Sequence, residues 1–394
     1  MRSHEVVERF PATAAAPDTL AAIARLLEVP APSIDVAAAE AIAAEHFGVA
    51  GRATTLSSER DCNFLLATGT GQLLLKISNP AEVPVAVAAQ TAALAHVAAR
   101  DPELPVPRIH RTKTGELAAR ALHGDAEPLI VRLLDFLPGQ PLNGAPRSAI
   151  QRRGIGTMLA RLDRALDGFS HVGAQRPLLW DLSRADELRV LLPHIADPGR
   201  RALAALCLDG FVSHALPGLQ GLHSQVLHND FNPHNLLVDA GDPGRITGII
   251  DFGDMVWGPR VVDLAVAAAY HVPIDGNPLD EVVDIVAAYH SVSPLQPQEV
   301  DVLFDLVIAR QIVTVTITAW RATLHPENSK YILRNAPTAW HGLQRFAALP
   351  RREAQHTLRA ACGMESSWAT RIRTRWRTRS TSRRKPRSPQ HSAC

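Results

Sequence analysis

Between Val226 and Asp254 the chain alternates short apolar runs with Asx-rich loops, and few backbones accept that pattern. Val226-Leu227 leads into His228-Asn229-Asp230-Phe231-Asn232-Pro233-His234-Asn235, which leaves as Leu236-Leu237-Val238-Asp239. Gly241-Asp242-Pro243-Gly244 turns, and Ile246-Thr247-Gly248-Ile249-Ile250 returns to end in Asp251-Phe252-Gly253-Asp254. Apolar runs bounded by Asn, Asp, Gly and Pro read as strand, loop, strand, hairpin turn, strand. The arrangement delivers Asp230, Asn235 and Asp251 to one end of neighbouring β segments. An Asx turn that satisfies only its own backbone uses the same residue types, and short motifs recur by accident. That bland reading leaves the second apolar run and its terminal Asp-Phe-Gly unaccounted for.

Phosphoryl transfer from a nucleotide needs this set of side chains. One carboxylate orients the acceptor hydroxyl and takes its proton, while a second carboxylate and an amide oxygen hold Mg²⁺ over the phosphates. Asp230 fits the first role, Asn235 the amide ligand and Asp251 the carboxylate ligand, in the order His-x-Asp-x-x-x-x-Asn followed by Asp-Phe-Gly. Downstream, Gly258-Pro259-Arg260-Val261-Val262-Asp263-Leu264-Ala265 follows, and upstream stands Ser58-Glu59-Arg60-Asp61-Cys62-Asn63-Phe64. With these segments the sequence resembles the aminoglycoside phosphotransferase and choline kinase branch of the protein-kinase-like fold, and within it hydroxylysine kinase-like proteins. The resemblance runs from about Ile34 to about Leu349. It implies an α+β fold of two lobes, a small antiparallel β lobe and a larger, mainly helical one.

Composition is compatible with two lobes and their cores. The chain has 394 residues, 46% hydrophobic and 20% charged, as in globular domains. No apolar run is read as a membrane span, and the acid-containing N-terminus is not read as a signal peptide. Cys62, Cys207, Cys362 and Cys394 are far apart, and we expect reduced thiols in a cytoplasmic protein. The net charge of +2 is a property of the tail: from Glu365 onward there are nine Lys/Arg and one acid, leaving 32 basic and 38 acidic residues, or −6, for the body. A nucleic-acid footprint is therefore not expected on the body.

Residues 1–33 are Ala- and Pro-rich and are expected to form a loosely ordered extension. Asp35 is placed to cap an Ala-rich helix reaching Phe47 and ended by Gly48. Ala53 to Ile77 reads as a β-meander, within a small lobe of residues 34–137. Its first hairpin lacks Gly-x-Gly-x-x-Gly, so Ser57, Ser58, Arg60 and Asn63 are candidates for phosphate contact, with a self-bonded polar hairpin tip as the plain alternative. Lys76 lies in the apolar strand Leu-Leu-Leu-Lys-Ile and is one of only four lysines in an arginine-rich chain. It matches the strand lysine that binds donor phosphates. The resemblance implies an acid partner for it on the following helix, about Pro84 to Ala99. The corresponding position is Ala88, and no Asp or Glu occurs on that helix, which leaves Glu82 or Gln90 to hold Lys76, or leaves Lys76 poorly anchored and catalysis weaker. Leu129 to Leu142 reads as a buried strand entering a Pro-Gly linker, and the fold places the nucleotide base near Asp135, Phe136 and Leu137.

Residues 138–355 are expected to form the helical lobe, beginning with a helix over Ala149 to Leu166. Asp181 is a candidate acceptor contact or a helix N-cap, and Asp254 is the candidate acceptor carboxylate nearest the reacting centre. Asp301, Glu327 and Asn328 could also line an acceptor pocket. His228 is expected to brace the loop, Asp263 to support it from below by hydrogen bonding, and His234 has no assigned role. Residues 356–394 are expected to form a basic disordered tail. Together these features imply a phosphotransferase using Mg²⁺ and ATP or GTP, with an alcohol group on an amine-bearing, hydroxylysine-like small molecule as acceptor. An aminoglycoside phosphotransferase or an inactive nucleotide-binding module are the alternatives. Neither a membrane nor a nucleic acid is an expected partner, and oligomeric state is left open.

Overall fold

The computed structural model describes Val29 and residues 31–58, 60–122 and 127–364. The expectations for residues 1–28 and for 365–394 lie outside the described residues. Helix α1 (Val36–Ile42) continues through one π-helical turn to Phe47. Asp35 Oδ1 accepts from Ala38 N at 2.7 Å, which satisfies one of the unpaired N–H groups at a helix start. Gly48, at φ +70°, ends the helix in the left-handed region that glycine enters without strain.

Strands β1 (Gly51–Leu56), β2 (Cys62–Thr68) and β3 (Gly71–Ile77) form the expected meander. Helix α2 (Pro84–Arg100) follows, then the short β4 (Ile109–His110) and β5 (Ala119–Ala121), and the central β6 (Leu129–Asp135). The order is β1-β2-β3-β6-β4, with β5 also pairing β6, every pair antiparallel. Alternation assigns the two faces. Phe64, Leu75 and Leu133 stand opposite one another and are fully buried, with Ala39, Ile42 and Phe47 of α1 and its π turn, in the smaller of two apolar cores. The opposite face of the same rows carries Asn63, Lys76 and Arg132, which are register partners.

Past the Pro138-Gly139 linker, β7 (Gln140–Pro141) pairs with β9 (Leu236–Val238), and β9 pairs with β10 (Ile246–Ile249). β8 (Ser224–Leu227) pairs instead with β11 (Val256–Pro259). The larger core is helical: α3 (Ala149–Leu166), α4 (Pro198–His214), α5 (Val261–Ala269), α6 (Val282–Val292), α7 (Pro297–Leu324), α8 (Ala336–Ala347) and α9 (Arg351–Ala361). Residues 182–194, which follow the candidate N-cap Asp181, form 3-10 turns; Pro193 lies inside them and Arg184 departs from helical angles. The tail was expected from residue 356, but α9 runs to Ala361 with Leu358 buried.

Contrary to the expectation that no segment has membrane-spanning length, α7 is long and apolar enough, with a mean hydropathy of 1.7. Its window is 89% buried within the protein, and a helix that is apolar all round is a core helix when other helices cover it. α3 and α6 cross closely at Gly156, where a Cβ would lie 2.2 Å from the Ile285 carbonyl oxygen.

Candidate active site

The loop between β8 and β9 is held from beneath. Asn229 sits at φ +63° and Asp251 at φ +62°, the two non-glycine residues with positive φ among those described. Asn and Asp tolerate this region better than other L-residues, and the surroundings fix it. Asp263, fully buried at the start of α5, accepts from His228 N at 2.7 Å and from Asn229 N at 2.6 Å. The His228 ring lies between Ile250 O, 3.1 Å from Nε2, and the Asp230 N–H, 3.3 Å from Nδ1. One neutral tautomer satisfies both contacts, with Nε2–H donating and Nδ1 accepting. Both expected bracing roles are therefore present. A residue the sequence reading did not single out, Asp163 on α3, completes the support. Burial, then the adjacent Asp263 carboxylate, push its carboxyl well above the ordinary range. Tyr289 Oη donates to its Oδ2 at 2.5 Å.

Asp230 projects from this loop with each carboxylate oxygen engaged. Asn235 Nδ2 donates to Oδ2 at 2.7 Å and to the Asp230 carbonyl at 3.0 Å, and Arg310 Nη2 donates to Oδ1 at 3.0 Å. Because the Asn235 amide hydrogens point at Asp230, its Oδ1 is the end left for another partner. The Asn235 carbonyl accepts from Ile250 N at 2.9 Å, which brings Asp251 beside it. Asp251 caps the turn Phe252–Asp254 through Gly253 N at 3.2 Å and is otherwise exposed. Asp254 is pushed up to about 7 by burial, with Asp230 and Asp251 repelling its charge and Arg176 and Arg310 partly offsetting them. Asp230 and Asn235 are thus in contact, Asp251 follows the residue bonded to Asn235, and Asp254 feels the charge of both Asp230 and Asp251, which brings these four expected residues into one neighbourhood.

Lys76 faces them from β3, and its partner corrects the sequence reading. Neither Glu82 nor Gln90 holds it; Lys76 Nζ is 3.0 Å from Asp61 Oδ2. Asp61 Oδ1 accepts from Asn79 N at 2.9 Å. Burial raises the Asp61 carboxyl, but Lys76 and the Asn79 N–H outweigh it, and the net direction is downward. Gln90 instead accepts from Arg132 Nη1 at 3.0 Å and reaches Gly253 O at 3.4 Å. Glu82 joins Arg60 at 3.5 Å to Arg176 at 3.2 Å, and Arg176 also donates to Gly253 O at 2.6 Å. The small lobe is thereby tied to the Asp251 turn without an acid on α2. Among the hairpin candidates, Ser58 is exposed, Arg60 is committed to Glu82, and the buried Oδ1 of Asn63, in the row with Lys76, has no partner among the described residues.

Other expected residues are placed elsewhere. The Asp135 side chain pairs with His110 at 2.7 Å, and the N–H groups of Asp135 and Phe136 donate to Arg108 O and Gln72 O. A base at this linker is therefore left with the Leu137 N–H and with carbonyls. Asp181 is an N-cap, accepting from Ser183 N at 2.9 Å and Ser183 Oγ at 2.7 Å. It does not present itself to an acceptor. Asp301 is paired with Arg359 at 2.7 Å, Glu327 with His325 at 3.5 Å, and Asn328 is exposed; we assign none of them to the site. His234 N donates to Asn232 Oδ1 at 2.8 Å within the loop.

Arg132, Arg176 and Arg310 were missed. Arg310 carried a visible signal, as a lone arginine within the apolar run Leu306-Val307-Ile308-Ala309-Arg310-Gln311-Ile312-Val313. Arg132 follows only from strand register.

The sequence profile of the phosphotransferase enzyme family matches residues 52–296. Hydroxylysine kinase of Bos taurus is 26% identical over 346 residues, covering 82% of this chain and 92% of that protein. Hydroxylysine kinase of Mus musculus is 29% identical over 312 residues, covering 74% of this chain and 83% of that one. Among solved structures, a microcompartment-associated aminopropanol kinase superposes with a TM-score of 0.56 at 20% identity, over 83% of this chain and 99% of that chain. That likeness establishes a shared fold.

Proposed function

The chain belongs to the phosphotransferase enzyme family, and on that premise we propose that it moves the terminal phosphate of ATP or GTP to a hydroxyl of a hydroxylysine-like amino alcohol. The observation that carries the reading is the convergence of Asp230, Asn235 and Asp251 opposite the Lys76–Arg132 row. Asp230 is the general base: held by Asn235 and Arg310, its carboxylate retains lone pairs for an acceptor O–H. Lys76, fixed by Asp61, steadies the donor phosphates, with Asn63 at the covering hairpin and the base at the 135–137 linker. Asp254 supplies a carboxylate for the acceptor's ammonium group.

Mg²⁺ fits the donor set. The ion prefers hard oxygens and is commonly held by one or two protein ligands plus substrate phosphates, and the Asn235 Oδ1 and the exposed Asp251 carboxylate offer that chemistry. When bound, it would supply positive charge between the phosphates. The absence of an acid on α2 is compatible with activity, because Asp61 orients Lys76 in its place. A reducing, cytoplasmic location belongs to the same proposal and is supported by the free thiols of Cys62, Cys207 and Cys362.

The relatives named hydroxylysine kinase support an amino alcohol over an aminoglycoside as acceptor. The test is a screen of amino alcohols and aminoglycosides with MgATP and MgGTP, read by mass spectrometry. We expect addition of one phosphate to a hydroxylysine-like compound. Nucleotide binding with no product from any acceptor would replace this reading with that of a nucleotide-binding module.

A further inference from the structure

The turn that carries Asp251 is gripped at a single carbonyl. Gly253 O accepts from Arg176 Nη2 at 2.6 Å and, at the longer distance of 3.4 Å, from Gln90 Nε2. Gly253 N donates to Asp251 Oδ1 at 3.2 Å, and a Cβ on this glycine would lie 3.0 Å from that same oxygen. The Asp251 carboxylate therefore moves with Gly253. Its own backbone, at φ +62°, is a conformation that the surroundings must maintain.

Arg176 reaches this carbonyl because its segment is pressed against the start of α2. Gly173 packs so closely there that a Cβ would lie 2.0 Å from the Val85 carbonyl oxygen. Three residues on, Arg176 Nη1 meets Glu82 Oε1 at 3.2 Å, and Glu82 Oε2 lies 3.5 Å from Arg60 Nη2. Glu82 N donates to Asn79 O at 2.9 Å, and Asn79 N donates to Asp61, the partner of Lys76. A continuous polar chain thus joins Lys76 to Asp251. In protein kinases the strand lysine and the metal-binding Asp must both be in place, and a helix acid pairs with the lysine; α2 has no acid.

We propose that Arg176 is a positioning residue that sets the Asp251 carboxylate for Mg²⁺ through Gly253 O, and ties that setting to the small lobe through Glu82. A charge-assisted bond is the stronger of the two on Gly253 O, so Gln90 alone does not replace it. The nucleotide affinity gained with Mg²⁺ then depends on Arg176, whereas affinity without the metal does not. This assignment rests on the phosphotransferase reading and deepens it. Arg176 also favours the charge of Asp254, so turnover alone would not separate its roles; nucleotide binding without acceptor does.

The experiment measures, by calorimetry on the full chain without acceptor, affinity for ATP and GTP in Mg²⁺ and in EDTA. Amide hydrogen exchange of the nucleotide-free protein follows residues 250–256. The wild type should gain affinity with Mg²⁺. Arg176→Gln should cut that gain about tenfold, as for one charged hydrogen bond, leave the EDTA affinity unchanged and speed exchange at the turn. Arg176→Lys should recover part of the gain, and Glu82→Gln should lower it while leaving Gly253 O its donor; circular dichroism checks that the variants fold. A wild-type gain that survives Arg176→Gln would overturn the assignment and leave the phosphotransferase reading standing. Equal losses in Mg²⁺ and in EDTA would also overturn it, since Arg176 would then support the lobe as a whole. An unaltered gain in Glu82→Gln would overturn the link to the small lobe. Faster exchange in Arg176→Gln, with no Mg²⁺-dependent nucleotide binding in the wild type, would support the grip on the turn and count against the phosphotransferase reading.

Discussion

Lys76 and Asp61 form the ion pair on which the donor side of the cleft depends. Removing one partner of a largely buried pair leaves the other charge uncompensated. Asp61→Asn is therefore expected to weaken MgATP or MgGTP binding about tenfold by calorimetry while leaving acceptor affinity unchanged; unaltered nucleotide affinity would show that Lys76 needs no anchor. Asp254 sets a pH dependence. Its carboxyl is pushed up to about 7, so the acceptor's KM should rise as pH falls below that value and the carboxylate is neutralised, and Asp254→Asn should show a high, pH-independent KM. The stability effect has the opposite sense. The folded state holds this proton more tightly than the unfolded chain, so the contribution is fully present below 3.8 and is lost as pH rises through about 7. At this scale the sequence named Asp230, Asn235, Asp251, Asp254 and Lys76, because their types and order encode the chemistry. It did not pair Lys76 with Asp61, since cross-strand distance depends on how the hairpin folds back. It also left Asp181 open between two roles, which only the position of Ser183 decides.

The elements that carry these residues are joined at a few unforgiving points. Gly156 lets α3 approach α6, and a methyl group there would meet the Ile285 carbonyl at 2.2 Å. Overpacking of this kind costs about 1–3 kcal/mol, so Gly156→Ala should lower the thermal midpoint by several degrees without changing KM. An unchanged midpoint would mean that the helices slide apart freely. The brace under the loop is a second such point. Asp263→Asn loses one acceptor and turns an amide toward an N–H, and about 1–3 kcal/mol is expected from the unsatisfied group. Most elements were legible from caps and periodicity: Asp35 and Gly48 bound the first helix, and the span Ala149–Leu166 was read as observed. The 3-10 turns over residues 182–194, with Pro193 inside them, were not read from the sequence.

The described residues form two apolar cores joined by a short linker, with the candidate site residues where they meet. β2, β3 and β6 present Asn63, Lys76 and Arg132 on one side; the 228–235 loop and the Asp251 turn present carboxylates on the other, and Gln90 and Arg176 both reach Gly253 O between them. The basic tail contributes none of these groups, so deletion of residues 365–394 should leave phosphate transfer intact. The two-lobed architecture was implied by the family resemblance that the 226–254 stretch carries together with Gly258–Ala265 and Ser58–Phe64. The surroundings of Asp230 were not legible, since Arg310, Tyr270 and Trp180 come from distant parts of the chain and only tertiary packing gathers them. The central claim is that Asp230 acts as the base of a phosphotransfer site. Turnover of 5-hydroxylysine by Asp230→Ala, measured beside its affinity for MgATP and MgGTP, tests that claim most directly. The account predicts a kcat lower by roughly 10²–10⁴ with nucleotide affinity retained; a kcat equal to that of the wild type would contradict it.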